Sequence, residues 1–487
     1  MKYILAIDQS TQGTKALLFD DKGVLLCRTD KPHKQIINDK GWVEHDLREI
    51  YANTIQVAKD VVAKAGIDKS EIAALGISNQ RETSACWDRK TGEPLYNAIV
   101  WQCSRGAAIC EELERQGHAE KIHQKTGIKL SPYFPAAKLA WVFQNVQGVS
   151  GRAKSGEIAV GTIDSWLVYK LTQGKRQQTD YSNASRTQLF NINSLKWDDE
   201  LLALFGIDPQ CMAKITDSDG DFGVTDFEGW LDKPIPICGV LGDSHGALFG
   251  QGCLNPGMIK ATYGTGSSVM MNIGEKPVLN NSVVTSLAWK IKGKVNYVLE
   301  GNINYTGAVI TWLKDDLKII ASPAETEELA RAANPEDRTY LVPAFSGLGA
   351  PYWNSRAKAC IIGMTRTTGR NEIVKAGLEC IAYQIADIIE AMRTSAGITI
   401  NELRVDGGPT RNKYLMQFQS DILNIPVRIP DSEELSGIGA AYCAGISCGL
   451  YDDKIFSNLK RISYSPVMSQ DLRNELHNGW REAVKKS

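Results

Sequence analysis

No stretch of the 487-residue chain holds the roughly 18 consecutive apolar side chains that a spanning helix needs, so no transmembrane segment is expected. A secretory signal is not expected either, because Asp8 interrupts the short apolar start after a single lysine. The eleven cysteines include no C-x-x-C pair. Their odd number and wide scatter predict reduced, mostly buried thiols and a cytoplasmic location. Charge of one sign is nowhere concentrated: 55 Lys and Arg stand against 56 Asp and Glu, a net charge of −1. Neither nucleic acid nor a membrane surface is therefore an expected partner. The sequence also lacks G-x-x-x-x-G-K-[ST], which excludes a P-loop, and lacks G-x-G-x-x-G after its first strand, which argues against a dinucleotide site. No H-E-x-x-H occurs.

What is present is ordinary soluble composition, 43% apolar and 23% charged, at a length that predicts two large α/β domains. We divide them at 1–250 and 251–487. The chain is organised around its start, Tyr3-Ile-Leu-Ala-Ile-Asp8-Gln-Ser-Thr11-Gln12-Gly13-Thr14-Lys15 and the apolar run after it. The pattern predicts strand, tight polar turn, strand. Such a turn can aim backbone N–H groups and hydroxyls at phosphate, with Lys15 adding a point charge and Asp8 able to reach a metal; an ordinary hairpin is the alternative. About 250 residues later, Lys260-Ala-Thr262-Tyr-Gly264-Thr265-Gly266-Ser267-Ser268 repeats the layout. One phosphate-cradling hairpin per domain suggests a nucleotide held in a cleft between two lobes.

Other segments add candidate chemistry. A helix is predicted over 47–65, stopped by Gly66, and a buried parallel strand over 72–78 delivers Arg81 and Glu82 to its carboxyl end, where open α/β sheets bind ligands. An adjacent Arg and Glu there suit a polyhydroxylated ligand; a surface ion pair is the alternative. A second buried strand is expected over 97–102, ending near Trp101, and Tyr133 lies in a Pro- and aromatic-rich loop, as pocket wall or as core. The strand 234–241 ends at Gly242-Asp243-Ser244-His245, where Asp243 is a helix cap, a well-placed base, or both. His245 has no partner at ligand spacing and is read as a packed or capping side chain. Asp180–Arg186 is a polar turn of open role. Leu403–Asn412 reads as strand, glycine turn and helix start, with Asn412 in the first turn free to bond a base or ribose. The helix around Ser436–Tyr442 is expected to pack on that same sheet.

Taken together, Gly41-Trp-Val-Glu-His-Asp46, Ser78-Asn-Gln-Arg-Glu-Thr83, Asn97–Cys103, Asp180–Arg186, Thr262–Gly266, Gly347–Trp353, Arg404–Gly408 and Leu415–Leu423 resemble the FGGY family of carbohydrate kinases, within the actin/Hsp70-like ATPase superfamily. The resemblance runs over nearly the whole chain. It implies a two-domain, ribonuclease H-like α/β fold with the active site between the domains, and use of ATP and Mg²⁺. By the same resemblance Asp8 and Asp243 are placed at the metal, and Thr11, Gln12, Lys15, Thr265 and Gly266 at the phosphates. Gly307, Thr311, Gly408 and Asn412 then border the adenosine. Arg81, Glu82, Trp101, Tyr133, Asp243 and Ser244 line a polyol pocket, and Asp243 is also the general base. It also implies a small polyol or sugar as substrate and a homodimer or homotetramer.

Within the family the pattern is most similar to the glycerol-phosphorylating members, with three departures. Lys15 stands where those members usually carry arginine, Ser244 where they carry Gln, and Ser268 where they carry Phe. The first turns a bidentate contact into a point charge. The other two predict a larger, wetter pocket, in which a four- or five-carbon polyol or ketose, such as a xylulose-type sugar, competes with glycerol. Asp226–Lys233, matching a Gly/Arg loop that binds a sugar bisphosphate in some members, has no arginine, so no such control is expected. A non-catalytic actin/Hsp70-like ATPase is the competing class; Arg81, Glu82 and Asp243 argue against it.

Overall fold

Tyr3–Gln9 and Gly13–Phe19 form the expected antiparallel hairpin, in a register that sets Asp8 opposite Lys15. In the computed structural model, which describes residues 1–487, this hairpin lies within a six-stranded sheet. The order is Val224–Thr225, Ile235–Gly242, Ile72–Asn79, Tyr3–Gln9, Gly13–Phe19, Leu25–Pro32. The three strands Ile235–Gly242, Ile72–Asn79 and Tyr3–Gln9 run parallel, and Asn79 pairs with both Gln9 and Gly242. Their carboxyl ends are therefore level. Near-continuous apolar runs produce this, since both faces of the parallel strands are buried.

A seven-stranded second sheet repeats the plan. Ile259–Tyr263 pairs antiparallel with Ser267–Gly274 and parallel with Leu403–Asp406, as Tyr3–Gln9 does with its own two neighbours. The lobes are not independent. Ala184, Phe190 and Ile192 of the first half are packed into the second lobe's core, and the Tyr297 hydroxyl donates to the Ile192 carbonyl at 2.7 Å.

The Leu47–Ala65 helix has the bounds expected. Asp46 accepts from the Arg48 amide at 2.8 Å, and Gly66 ends the helix with φ 67°. Two expectations are corrected. The strand predicted over 97–102 is only Ala98–Ile99, because the Trp101 amide turns to the Thr83 hydroxyl and leaves the ladder. It belongs to a small sheet with Val43–His45 and Ser84–Asp88.

The Leu435–Ser447 helix does not cover the Leu403–Asp406 sheet. It lies on the first sheet, against Ile72–Asn79, Ile235–Gly242 and the Asp243–Gly250 helix. Its small residues allow backbone to meet backbone there. A methyl group on Gly76 would land on the Ala440 carbonyl oxygen, and one on Gly439 on the carbonyl of Gly246, which belongs to the helix that begins with Asp243. Gly439→Ala should therefore lower stability by about 1–3 kcal/mol or more through overpacking. Urea unfolding of the variant checks this; an unchanged midpoint would contradict the packing described.

Candidate active site

The level strand ends bring Asp8, Arg81 and Asp243 to one edge of the first sheet. Asp8 is buried, and its Oδ1 has no protein partner. Burial pushes its carboxyl up to about 6, with Lys15 opposing the rise and Asp243 adding to it. Asp243 is the first residue of the Asp243–Gly250 helix, and Gly242 occupies the cap position. Its Oδ1 accepts from the Ser244 amide at 2.6 Å and faces Arg81 Nε at 3.3 Å. The Asp243 side chain keeps 34% of its surface exposed, against 6% for Arg81, so it is the accessible member of the pair. Ser244 beside it is half-buried.

Arg81 and Glu82 belong to a buried network rather than to a surface ion pair. Arg81 Nη1 and Nη2 donate to Glu300 Oε2 and Oε1 at 3.0 and 2.8 Å. Arg186 lies 2.9 Å from Glu300 Oε2, and its Nε donates to Glu82 Oε1 at 2.7 Å. Glu82 holds a left-handed backbone, φ 60°, an uncommon conformation for a residue with a long side chain. Burial alone would raise the Glu300 carboxyl, yet Arg186 and Arg81 hold it well below the usual carboxylate range. His245 is packed, as expected, but both ring nitrogens lack partners, and burial together with Arg81 keeps the imidazole neutral.

Trp101 and Tyr133 stand side by side, ring centroids 5.4 Å apart. The Trp101 indole donates to the Thr11 hydroxyl at 3.0 Å, tying this aromatic pair to the first hairpin's turn. Tyr133 is half-buried, and burial with Glu82 nearby pushes its hydroxyl up. Its loop is held by Lys138, fully buried, whose ammonium reaches the carbonyls of Pro132, Tyr133 and Phe134.

Gln12 is exposed at the turn of the first hairpin. Lys15 is not free: its ammonium pairs with Glu434 at 2.8 Å, and Arg28 pairs with the same carboxylate. In the second lobe, the exposed Thr265 and the adjoining Gly264 accept through their carbonyls from the amides of Thr306, Gly307 and Ala308, which ties the Gly264–Gly266 turn to the Gly307–Thr311 helix. Gly307, Thr311, Gly408 and Asn412 line one cavity of about 560 Å³, walled also by Ile310 and Leu378. Asn412 is the cap of the Lys413–Leu423 helix rather than a first-turn residue. Its Oδ1 accepts from the Leu415 amide at 2.9 Å and its Nδ2 donates to the Thr326 hydroxyl at 3.0 Å, which leaves one N–H of the side chain beside the cavity. The Ser268 hydroxyl donates to Glu300 Oε1 at 3.3 Å, which brings the second hairpin against the Arg81 network.

Glu300, Arg186 and Lys138 do not stand out as site residues from sequence alone. An acid closing the short apolar run Tyr297-Val-Leu299, in a strand buried there, is the available signal for the first. One further pattern, Gly445-Ile-Ser447-Cys-Gly449, matches the nucleophile elbow G-x-S-x-G, but it closes a helix instead of joining strand to helix. Its Ser447 hydroxyl donates to the Asp219 carbonyl.

Two lobes with duplicated hairpins, a cavity of about 560 Å³ in the second and an accessible carboxylate beside a buried Arg–Glu network in the first fit a small-molecule kinase of the carbohydrate-phosphorylating class. The N-terminal domain profile of the FGGY family of carbohydrate kinases matches residues 3–250, and the C-terminal domain profile matches 259–448. The chain belongs to this family, with its actin/Hsp70-like, ribonuclease H-like fold, and is an ATP-dependent sugar or polyol kinase. It is 51% identical over 488 residues to a Thermotoga maritima protein called glycerol kinase 1, covering 99% of both chains. It is 47% identical to glycerol kinase 2 of the same organism, covering 100% of this chain and 99% of the other. The crystal structure of Plasmodium falciparum glycerol kinase with ADP superposes with a TM-score of 0.95 at 36% identity, covering 100% of this chain and 98% of that one. No helix is long and apolar enough to cross a membrane.

Lys138 yields a prediction. Burial holds its ammonium down at about 7, against an unfolded value near 10.5. Between those values the unfolded chain binds the extra proton, so this group's contribution to stability rises with pH. Lys138→Met should abolish that rise between pH 7 and 9, cost about 1–3 kcal/mol through the orphaned carbonyls, and raise KM for the acceptor substrate. Thermal unfolding across pH and steady-state kinetics check all three.

Proposed function

We propose that the chain transfers the γ-phosphoryl group of ATP to a terminal hydroxyl of glycerol. The observation that carries this reading is the accessible Asp243 carboxylate, set 3.3 Å from a buried Arg81 at the end of the polar pocket. Phosphoryl transfer asks a protein chiefly to align the reactants and neutralise charge, with one carboxylate accepting the nucleophile's proton. Asp243 takes the proton from the attacking hydroxyl. Arg81, Glu82 and Ser244 bond the remaining hydroxyls, and Trp101 and Tyr133 wall the carbon chain. Gly307, Thr311, Gly408 and Asn412 border the adenosine, while Thr11, Gln12, Thr265, Gly266 and Lys15 serve the phosphates. For Lys15 to do so, nucleotide must compete with Glu434 for its ammonium.

The residues present fit a divalent cation. Asp8 has an unpartnered buried oxygen and a carboxyl raised by burial and by Asp243, and a cation would relieve both. No third His, Cys, Asp or Glu joins them, which suits Mg²⁺ held by one or two carboxylates together with phosphate and water. When bound, the ion supplies charge neutralisation on the phosphates. Eleven free cysteines suit a reducing compartment, and we place the protein in the cytoplasm.

Asp243→Asn should lower kcat by about 10²–10⁴ while leaving glycerol KM within about threefold. Coupled ADP release measures it, and an unchanged kcat would remove Asp243 from the chemistry. Ser268 favours a second reading. Its side chain, bonded to Glu300, is smaller than the aromatic ring it replaces, which favours a four- or five-carbon polyol or ketose. Screening three- to five-carbon acceptors decides between them. We expect glycerol to lead, and a tetritol or ketose with a clearly higher kcat/KM replaces it.

A further inference from the structure

Glu300 lies in the strand Lys294–Ile303 of the second lobe, between buried Leu299 and Gly301, with no exposed surface. A carboxylate in that position would normally take up a proton. Instead it is ionised and shared. One oxygen receives Arg81 Nη2 and the Ser268 hydroxyl, while the other receives Arg81 Nη1 and lies 2.9 Å from Arg186. Both arginines belong to the first lobe. Buried ion pairs add little net stability compared with apolar packing, so what this one orients explains it better than what it stabilises.

What it orients is the acceptor pocket. The planar guanidinium of Arg81, gripped at both Nη atoms, has its plane fixed, which directs Nε at Asp243. Arg186, wedged between Glu300 and Glu82, fixes the Glu82 carboxylate in turn. Other polar groups facing this cluster include neutral His245, buried Lys260, the Tyr133 hydroxyl and, beside Glu82, Lys138. We propose that Glu300 is the positioning residue of the acceptor site: a second-lobe carboxylate that holds first-lobe Arg81 and, through Arg186, Glu82 in their substrate-binding poses. Polyol affinity then depends on how the two lobes meet. This rests on the reading that Arg81 and Glu82 bind the polyol.

Glu300→Gln keeps the shape and removes the charge. Glu300→Asp keeps the charge and withdraws it, and stays informative if the Gln variant does not fold. Both are compared with Arg81→Ala in steady-state kinetics and thermal unfolding. We expect glycerol KM to rise by about tenfold or more in Glu300→Gln and by less in Glu300→Asp, with ATP KM changed by no more than about threefold. If Arg81→Ala raises glycerol KM while both Glu300 variants keep the parent value, or lower only the melting temperature, the positioning role is overturned. If Arg81→Ala itself leaves glycerol KM unchanged, the acceptor-site reading has failed, and the role of Glu300 with it.

Discussion

One buried carboxylate pairs with two guanidinium groups across the lobe junction, and the account of the acceptor site is built on that constraint. Arg81, Arg186 and Glu300 are all nearly or wholly inaccessible, so none can find compensation in water if the arrangement slips. The shared core around Ala184, Phe190 and Ile192 supplies the rigidity that such a network requires. The side chains at the cleft are therefore placed by both lobes at once.

Duplication explains how the remaining parts arrive. Each sheet sets an antiparallel hairpin beside parallel strands, so each lobe has a polar turn at the same edge as its strand carboxyl ends. In the first lobe that edge carries Asp8, Arg81 and Asp243. In the second it carries the Gly264–Gly266 turn and Gly408. Glycine at close contacts lets the Leu435–Ser447 helix settle directly on the first sheet, which sets Glu434 against Lys15. A residue late in the chain thus reaches the opening hairpin.

Local pattern carried much of this into view. Apolar runs ending in Asp8, Arg81 and Asp243 read as strand ends because burial on both faces leaves a continuous apolar signature. The echo between the hairpins was visible because turn chemistry is local. What stayed hidden depends on partners far apart in sequence. Glu300 meets Arg81 across 219 positions, and no spacing rule points from one to the other. Small residues announce close packing without naming the surface, so the Leu435–Ser447 helix lies on the first sheet and not, as its sequence suggests, on that of Leu403–Asp406. Asn412 reads as a first-turn residue from sequence and is the cap instead, since a capping role depends on where the helix begins. Trp101 was expected at the end of a strand, but a single hydroxyl, Thr83, draws it out.

The central claim is that the two lobes present one reaction path, with nucleotide in the second and acceptor in the first. A crystal structure with glycerol and a non-hydrolysable ATP analogue tests it most directly. The account predicts adenosine in the cavity bounded by Gly307, Thr311, Gly408 and Asn412, and a glycerol hydroxyl within hydrogen-bond distance of Asp243. Glycerol bound away from Arg81 and Asp243, or adenosine outside that cavity, would contradict it.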